Sequence, residues 1–244
     1  MTPDNRLIKY LAAQSKVLIS FMNEVPDRLP GKVVHQVRLA TRRARAALWV
    51  LRHCSSHIRF KGLNKELQRL GDALGRIREL DVAILDAKRF GFDSSTLVAG
   101  RKEAHHRLRH LIHRDQKNEL ALQLWIAGHT AREIFPVRID EAKRRLDKQL
   151  ASLLKRRIHG QTKFHQLRIV IKKTRYALEA MGKPIGSLQR LQDILGEAHD
   201  LELLQTLLGK DSTIRAKQRS LNDQAIRMIE PALRFAAAQL RDSD

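Results

Sequence analysis

The chain has 244 residues, 43% of them hydrophobic, with 47 lysines and arginines against 26 acidic residues and a formal net charge of +21. That apolar fraction is ample for a packed core and excludes a disordered chain, while the charge exceeds what solubility requires and implies an acidic partner. Nucleic acid, an anionic membrane surface and a phosphate polymer are all drawn by such a field, so charge alone does not rank them.

Residues 1–24 mix Arg6, Lys9 and Lys16 into their apolar positions, so no cleaved leader is expected. Across the chain, long stretches of Leu, Ala, Arg, Lys, Gln and Glu, the strong helix formers, are punctuated by only 12 glycines and 6 prolines. The class expected is all-α, with almost no segment fit for a strand. Breaks fall near 26–31, 53–62, 91–96, 128–136, 159–161, 182–186 and 209–213, which gives eight helices, about four on each side of residue 130. Pro231 lies inside the last helical pattern and is expected to kink or divide it, because it removes a backbone donor. The single cysteine, Cys54, excludes an internal disulfide and suits a reducing compartment. The least polar run, 120–128, is about half of the roughly 20 residues needed to cross a bilayer, so a cytoplasmic chain without membrane insertion is expected.

Self-similarity organises these helices. Residues 35–48 reappear as 165–178 with the shared pattern H-Q-[VL]-R-[LI]-[AV]-x-[RK]-[RK]-x-R-x-A-L. A second match follows each copy, LQRLGDALG at 67–75 against LQRLQDILG at 188–196, and each continues to an acidic-Leu-acidic triplet at 79–81 and 200–202. Helicity requires leucines at such spacing but not His-Gln, Arg and Asp at matched offsets. The two matches in the same order therefore indicate an internal duplication, with repeats at about 1–128 and 129–244 within a single domain. The architecture implied is two antiparallel four-helix units related by a pseudo-two-fold.

On a helix turning about 100° per residue, His35, Arg38, Arg42 and Arg45 fall within about 80° of one another. Val37, Ala40, Ala44, Ala47, Leu48 and Leu51 occupy a separate arc that suits a core. The second copy divides likewise: His165, Arg168, Lys172 and Arg175 share one stripe, and Leu167, Val170, Ala177, Leu178 and Met181 the packing arc. Three neighbouring cations along about 15 Å repel one another unless an anion with closely spaced charges lies along them, and successive phosphates fit. Arginine offers a planar fork to phosphate oxygens, and histidine donates from either nitrogen according to its tautomer.

These residues resemble a known family. His35-x-x-Arg38-x-x-x-Arg42-Arg43-x-Arg45 and His165-x-x-Arg168-x-x-x-Lys172-Lys173-x-Arg175 are similar to the paired signatures of CHAD domains, the conserved histidine α-helical domains, and the Leu-rich segments 67–82 and 188–204 also match that family's pattern. Within it, Arg78 and Glu79 correspond to His199 and Asp200. The resemblance implies two four-helix bundles with a basic central groove or channel that binds inorganic polyphosphate without catalysis. The residues it assigns to polyphosphate are His35, Arg38, Arg42, Arg43, Arg45, His165, Arg168, Lys172, Lys173 and Arg175. Lys172 and Lys173 replace arginines of the first copy, which keeps charge but loses the paired fork. Some relatives carry an adjoining triphosphate-tunnel domain, but this sequence contains no Glu-x-Glu-x-Lys and resembles a stand-alone version.

Other features carry weaker readings. Arg101, Lys102, His105, His106, Arg107, Arg109, His110, His113 and Arg114 form a basic cluster that could widen an anion surface, although it goes right round its helix. His106 and His110 have i, i+4 spacing beside Glu103, but without a His-Glu-x-x-His arrangement no metal is expected there. His199-Asp200 is shared with metal-dependent phosphohydrolases, whose further ligands are missing from the pattern. Asp72 and Asp193, at matched positions, could pair with arginines of the neighbouring helix. Trp49 and Trp125 suit core packing better than base stacking, which counts mildly against the alternative of a sequence-independent nucleic-acid-binding protein. Neither paired carboxylates nor a nucleotide-binding loop is visible, so no enzymatic activity and no cofactor are expected.

Overall fold

The computed structural model describes residues 3–27, 29–54, 61–113, 139–154, 161–209 and 211–241, and among them every regular element is an α-helix. They are α1 (Pro3–Asn23), α2 (Gly31–Cys54), α3 (Lys61–Arg89), α4 (Ser95–His113), α5 (Asp140–Leu154), α6 (Gln161–Ala180), α7 (Gly186–Leu208) and α8 (Ser212–Arg241). The all-α class and the eight helices match the expectation from helix-former content, whereas the break near 128–136, the run 120–128 and Trp125 lie outside the described residues. None of the described helices is long and apolar enough to cross a membrane.

The chain divides into two compact units, Met1–Arg138 and Ile139–Asp244. In the first, α1 packs on α2, α2 on α3 and α3 on α4; in the second, α5 packs on α6 and α8, α6 on α7 and α7 on α8. Two of the helix ends share one chemistry. Gly91 and Gly182 take positive φ, 76° and 73°, and the next residue returns its N–H to the last turn, Phe92 to Ala87 and Lys183 to Leu178. These bonds satisfy carbonyls that would otherwise be left unpaired where α3 and α6 stop. At the start of α8, Asp211 accepts the Ile214 N–H at 2.9 Å and serves as its cap.

Pro231 neither divides α8 nor ends it: the helix runs through to Arg241. Pro231 and Arg227, whose carbonyl loses its partner, are both exposed, so water can satisfy the orphaned group.

The helical wheel of α2 is realised residue by residue. Val37, Ala40, Ala44, Ala47, Leu48 and Leu51 are all buried. The small alanines let α3 approach closely, and at the contact a Cβ on Gly71 would stand 3.2 Å from the Thr41 hydroxyl oxygen. In α6, Leu167, Ala177, Leu178 and Met181 are buried and Val170 is half-buried.

One arginine fastens three segments of the first unit. Arg101 on α4 donates to Asp81 on α3, and to the carbonyl of Leu29 just ahead of α2 at 2.6 Å. The Asp81 carboxylate also lies against Gly31, where α2 begins and its unpaired N–H groups favour negative charge. Arg101→Ala is expected to lower the unfolding free energy by about 2 kcal/mol, the scale of hydrogen bonds to charged groups, measured by urea titration. Arg107→Ala, which removes only an exposed pair with Glu103, should leave the midpoint where it was.

Candidate functional site

In the first unit the site is built on α2 and α3. His35 is exposed, while Arg38, Arg42, Arg43 and Arg45 are half-buried. The Arg38 guanidinium lies against α3 where Gly75 has no side chain: a Cβ there would stand 3.3 Å from Nη2 and 3.4 Å from Nε. Arg45 is held by α3 amides, with Nε donating to Asn64 Oδ1 at 3.3 Å and Nη2 to Gln68 Oε1 at 3.4 Å. Asp72, expected as a partner, supports the Arg45 charge through space but does not take these hydrogen bonds. Burial, then Arg78, Arg38, Arg42 and Arg43, hold the His35 imidazole below its ordinary pKa.

The second unit repeats the scheme with changes. His165 is exposed, and Arg168 and Lys172 are half-buried on the same face of α6. Arg175 is not on a solvent-facing stripe: it is buried, 6% exposed, with Nε donating to Gln192 Oε1 at 2.9 Å and its guanidinium 4.0 Å from the centre of the Tyr176 ring. The wheel placed Arg175 outside because it divides a helix into two faces, whereas residues 174–178 of α6 are all buried. Lys173, which the resemblance assigned to polyphosphate, is directed toward α5, its Nζ donating to Gln149 Oε1 at 3.3 Å, and burial, then Arg145, lowers its pKa. Each copy thus keeps its first three stripe residues outside the core and anchors its last arginine to amides of the next helix.

Residues that the sequence did not assign to the site join them. The His199 ring centroid lies 6.4 Å from that of His165, and its Nδ1 is 3.6 Å from Glu202 Oε2. Its alignment with Arg78, which acts on His35, was the available signal. A pocket of about 480 Å³ is lined by His165, Arg168, His199, Glu202, Gln218 and Asn222 among others. A second, of about 490 Å³, shares Glu202, Gln218 and Asn222 and adds Arg215 and Arg219. Nothing in the repeat pattern marks these α8 residues.

The basic cluster on α4 is largely engaged locally. Arg101 fastens α2, α3 and α4 together, Arg107 pairs with Glu103, and Arg109 pairs with Asp27 at 2.8 Å. His105 is half-buried, its pKa lowered by burial, then by Arg101 and Arg109, and it hydrogen-bonds the backbone of Pro26. The His106 and His110 rings meet edge-on at 4.4 Å. Trp49 is half-buried against His53, with ring centroids 4.4 Å apart. The side chain of His113, and Arg114 altogether, lie outside the described residues.

With this geometry in place, comparison with known proteins fixes the class. The family model described as the CHAD domain matches residues 10–209, and the chain belongs to that family. The fold is similar to the crystal structure of the CHAD domain from the plant Ricinus communis, at TM-score 0.69 and 19% identity, covering 100% of this chain and 93% of that one. It is also similar to PptA from Streptomyces chartreusis, at TM-score 0.60 and 17% identity, covering 97% of this chain and 98% of that one. No curated protein matches.

Two outcomes follow from the contrast between anchored and outward cations. Arg175→Ala should lower the unfolding free energy by about 2 kcal/mol, because it removes a buried charge-assisted hydrogen bond and leaves Gln192 without its donor. Arg38→Glu and Arg168→Glu should leave the circular-dichroism spectrum nearly unchanged, since neither residue lies in the packing arc.

Proposed function

We propose that the protein binds inorganic polyphosphate without chemically altering it, holding successive phosphates on the His/Arg/Lys stripes of α2 and α6. The observation that carries this reading is a basic row left outside the core in each unit, His35, Arg38 and Arg42 on α2 and His165, Arg168 and Lys172 on α6. Like charges in a row are a poor arrangement for stability alone, and successive phosphates relieve their repulsion. Family membership supports the reading, as does the same His-x-x-Arg spacing outside the core of both units. On this reading His35, Arg38, Arg42, His165, Arg168 and Lys172 touch the polymer. Arg45 and Arg175 contribute positive charge from anchored positions, and Arg43 and Lys173 flank the rows. Because the two units are covalently joined, a polymer engaged by one is presented to the other at raised effective concentration, so long chains bind more tightly than short ones. The cellular role proposed is cytoplasmic, bringing the chain to polyphosphate granules.

Arg38→Glu combined with Arg168→Glu should abolish binding of long-chain polyphosphate in a titration at physiological salt. Each single change should weaken it about tenfold or more, from the 1.5–3 kcal/mol typical of hydrogen bonds to charged groups. Affinity should fall as salt rises, through counterion release. Excess polyphosphate should displace bound DNA or RNA; retention of nucleic acid would replace this ligand with the other polyanion. Phosphate release on incubation with the polymer would show an enzyme instead.

The dependence on pH follows from His35. In the free protein its neighbours favour the neutral ring, whereas a bound phosphate favours the imidazolium and raises the pKa. Binding therefore takes up a proton. Affinity should strengthen as pH falls through the bound-state pKa and level off below the free-state one, and His35→Gln should flatten that rise in a calorimetric pH series.

A further inference from the structure

The second unit differs from the first in one respect that bears on which part of a phosphate chain it takes. In the first unit the acidic residue ending the repeat triplet, Asp81, is closed off by Arg101. Its match in the second unit, Glu202, is 43% exposed and lines the pocket of about 480 Å³ together with His165, Arg168 and His199. Glu202 also lines the neighbouring pocket that holds Arg215 and Arg219, so a carboxylate stands where two cationic pockets meet.

A carboxylate is a poor neighbour for the interior of a phosphate chain. Interior units, like phosphodiesters, are ionised and carry no proton near neutral pH, so Glu202 repels them. A terminal unit is of the monoester type, and its second proton leaves at a pH of about 6 in phosphomonoesters. It can donate that O–H to Glu202 while its remaining oxygens accept from Arg168 and the two imidazoles. Gln218 and Asn222 from α8 add neutral donors and acceptors to the same pocket. We propose that this pocket takes a terminal, monoester-type phosphate group, so that a phosphate chain is held here by its end and not by its interior. The proposal rests on the polyphosphate reading given above. A small phosphorylated compound presents the same group and is the other source of it.

The test uses the full chain and follows the His199 imidazole resonances by NMR, which report on this pocket alone. Linear tripolyphosphate has two ends, and cyclic trimetaphosphate has the same number of phosphorus atoms and none. The linear ligand should shift His199 at concentrations at least about tenfold lower. Charge alone also favours the linear ligand, so the deciding variant is Glu202→Gln, which should weaken the linear ligand and strengthen the cyclic one. If it strengthens both alike, the carboxylate is only repulsive and the inference is overturned. Equal binding of the two ligands to the unaltered protein overturns it as well. Long-chain polyphosphate with free or amide-capped ends separates the sources. Loss of the His199 shift on capping supports the chain end, and a simple phosphomonoester matching tripolyphosphate supports the small compound. Titration of the uncapped polymer in parallel tells the two readings apart. If it binds while the linear and cyclic ligands do not differ, only the end-capture inference fails; if it does not bind at all, the polyphosphate reading fails.

Discussion

The close approach of α2 and α3 sets the terms for the first unit. Alanines on the inner arc of α2, with glycines at positions 71 and 75 of α3, remove the bulk that would hold the two helices apart. With the axes near one another, the Arg38 guanidinium lies flat on α3, and Arg45 reaches two amides of the same helix. The Arg38 and Arg45 side chains are therefore positioned by the packing beneath them and by amides of α3.

The second unit reaches a comparable result by a different contact. Where the first has Gly71, the second has Gln192, and this amide takes the Nε hydrogen bond of the buried Arg175. Tyr176 covers the same guanidinium. The last arginine of the stripe is thus more enclosed in the second unit than in the first. The changes from Arg42 and Arg43 to Lys172 and Lys173 replace planar forks by compact point charges, and Lys173 is directed toward α5. Duplicated sequence has become two related surfaces with separate contact sets.

Much of this was legible in the sequence. Helix-former content and the positions of Gly and Pro gave the class and most of the helix limits, and the α2 wheel named six positions that are all buried. What escaped has identifiable physical causes. Arg175 was assigned to solvent because a wheel describes one helix and does not know how many neighbours cover it. Pro231 was expected to kink or divide α8, but the helix runs on to Arg241, and on an exposed face water can satisfy the freed carbonyl. Arg101 looked like part of an anion cluster, and its partners, Asp81 and the Leu29 carbonyl, are 20 and 72 residues away in sequence. His199 was visible as the counterpart of Arg78 and in the His199-Asp200 dipeptide but not as a neighbour of His165, and Arg215, Arg219, Gln218 and Asn222 belong to no repeated pattern.

The paired glycines of the leucine-rich segments now stand under unequal constraint. Around Gly75 the Arg38 side chain occupies the space a methyl group would need, whereas nothing lies within 4 Å of the corresponding point on Gly196. A methyl group could be added at Gly196 without meeting a neighbour, and would favour the helix. A side chain at position 75 would press on Arg38, whereas position 196 carries no such constraint.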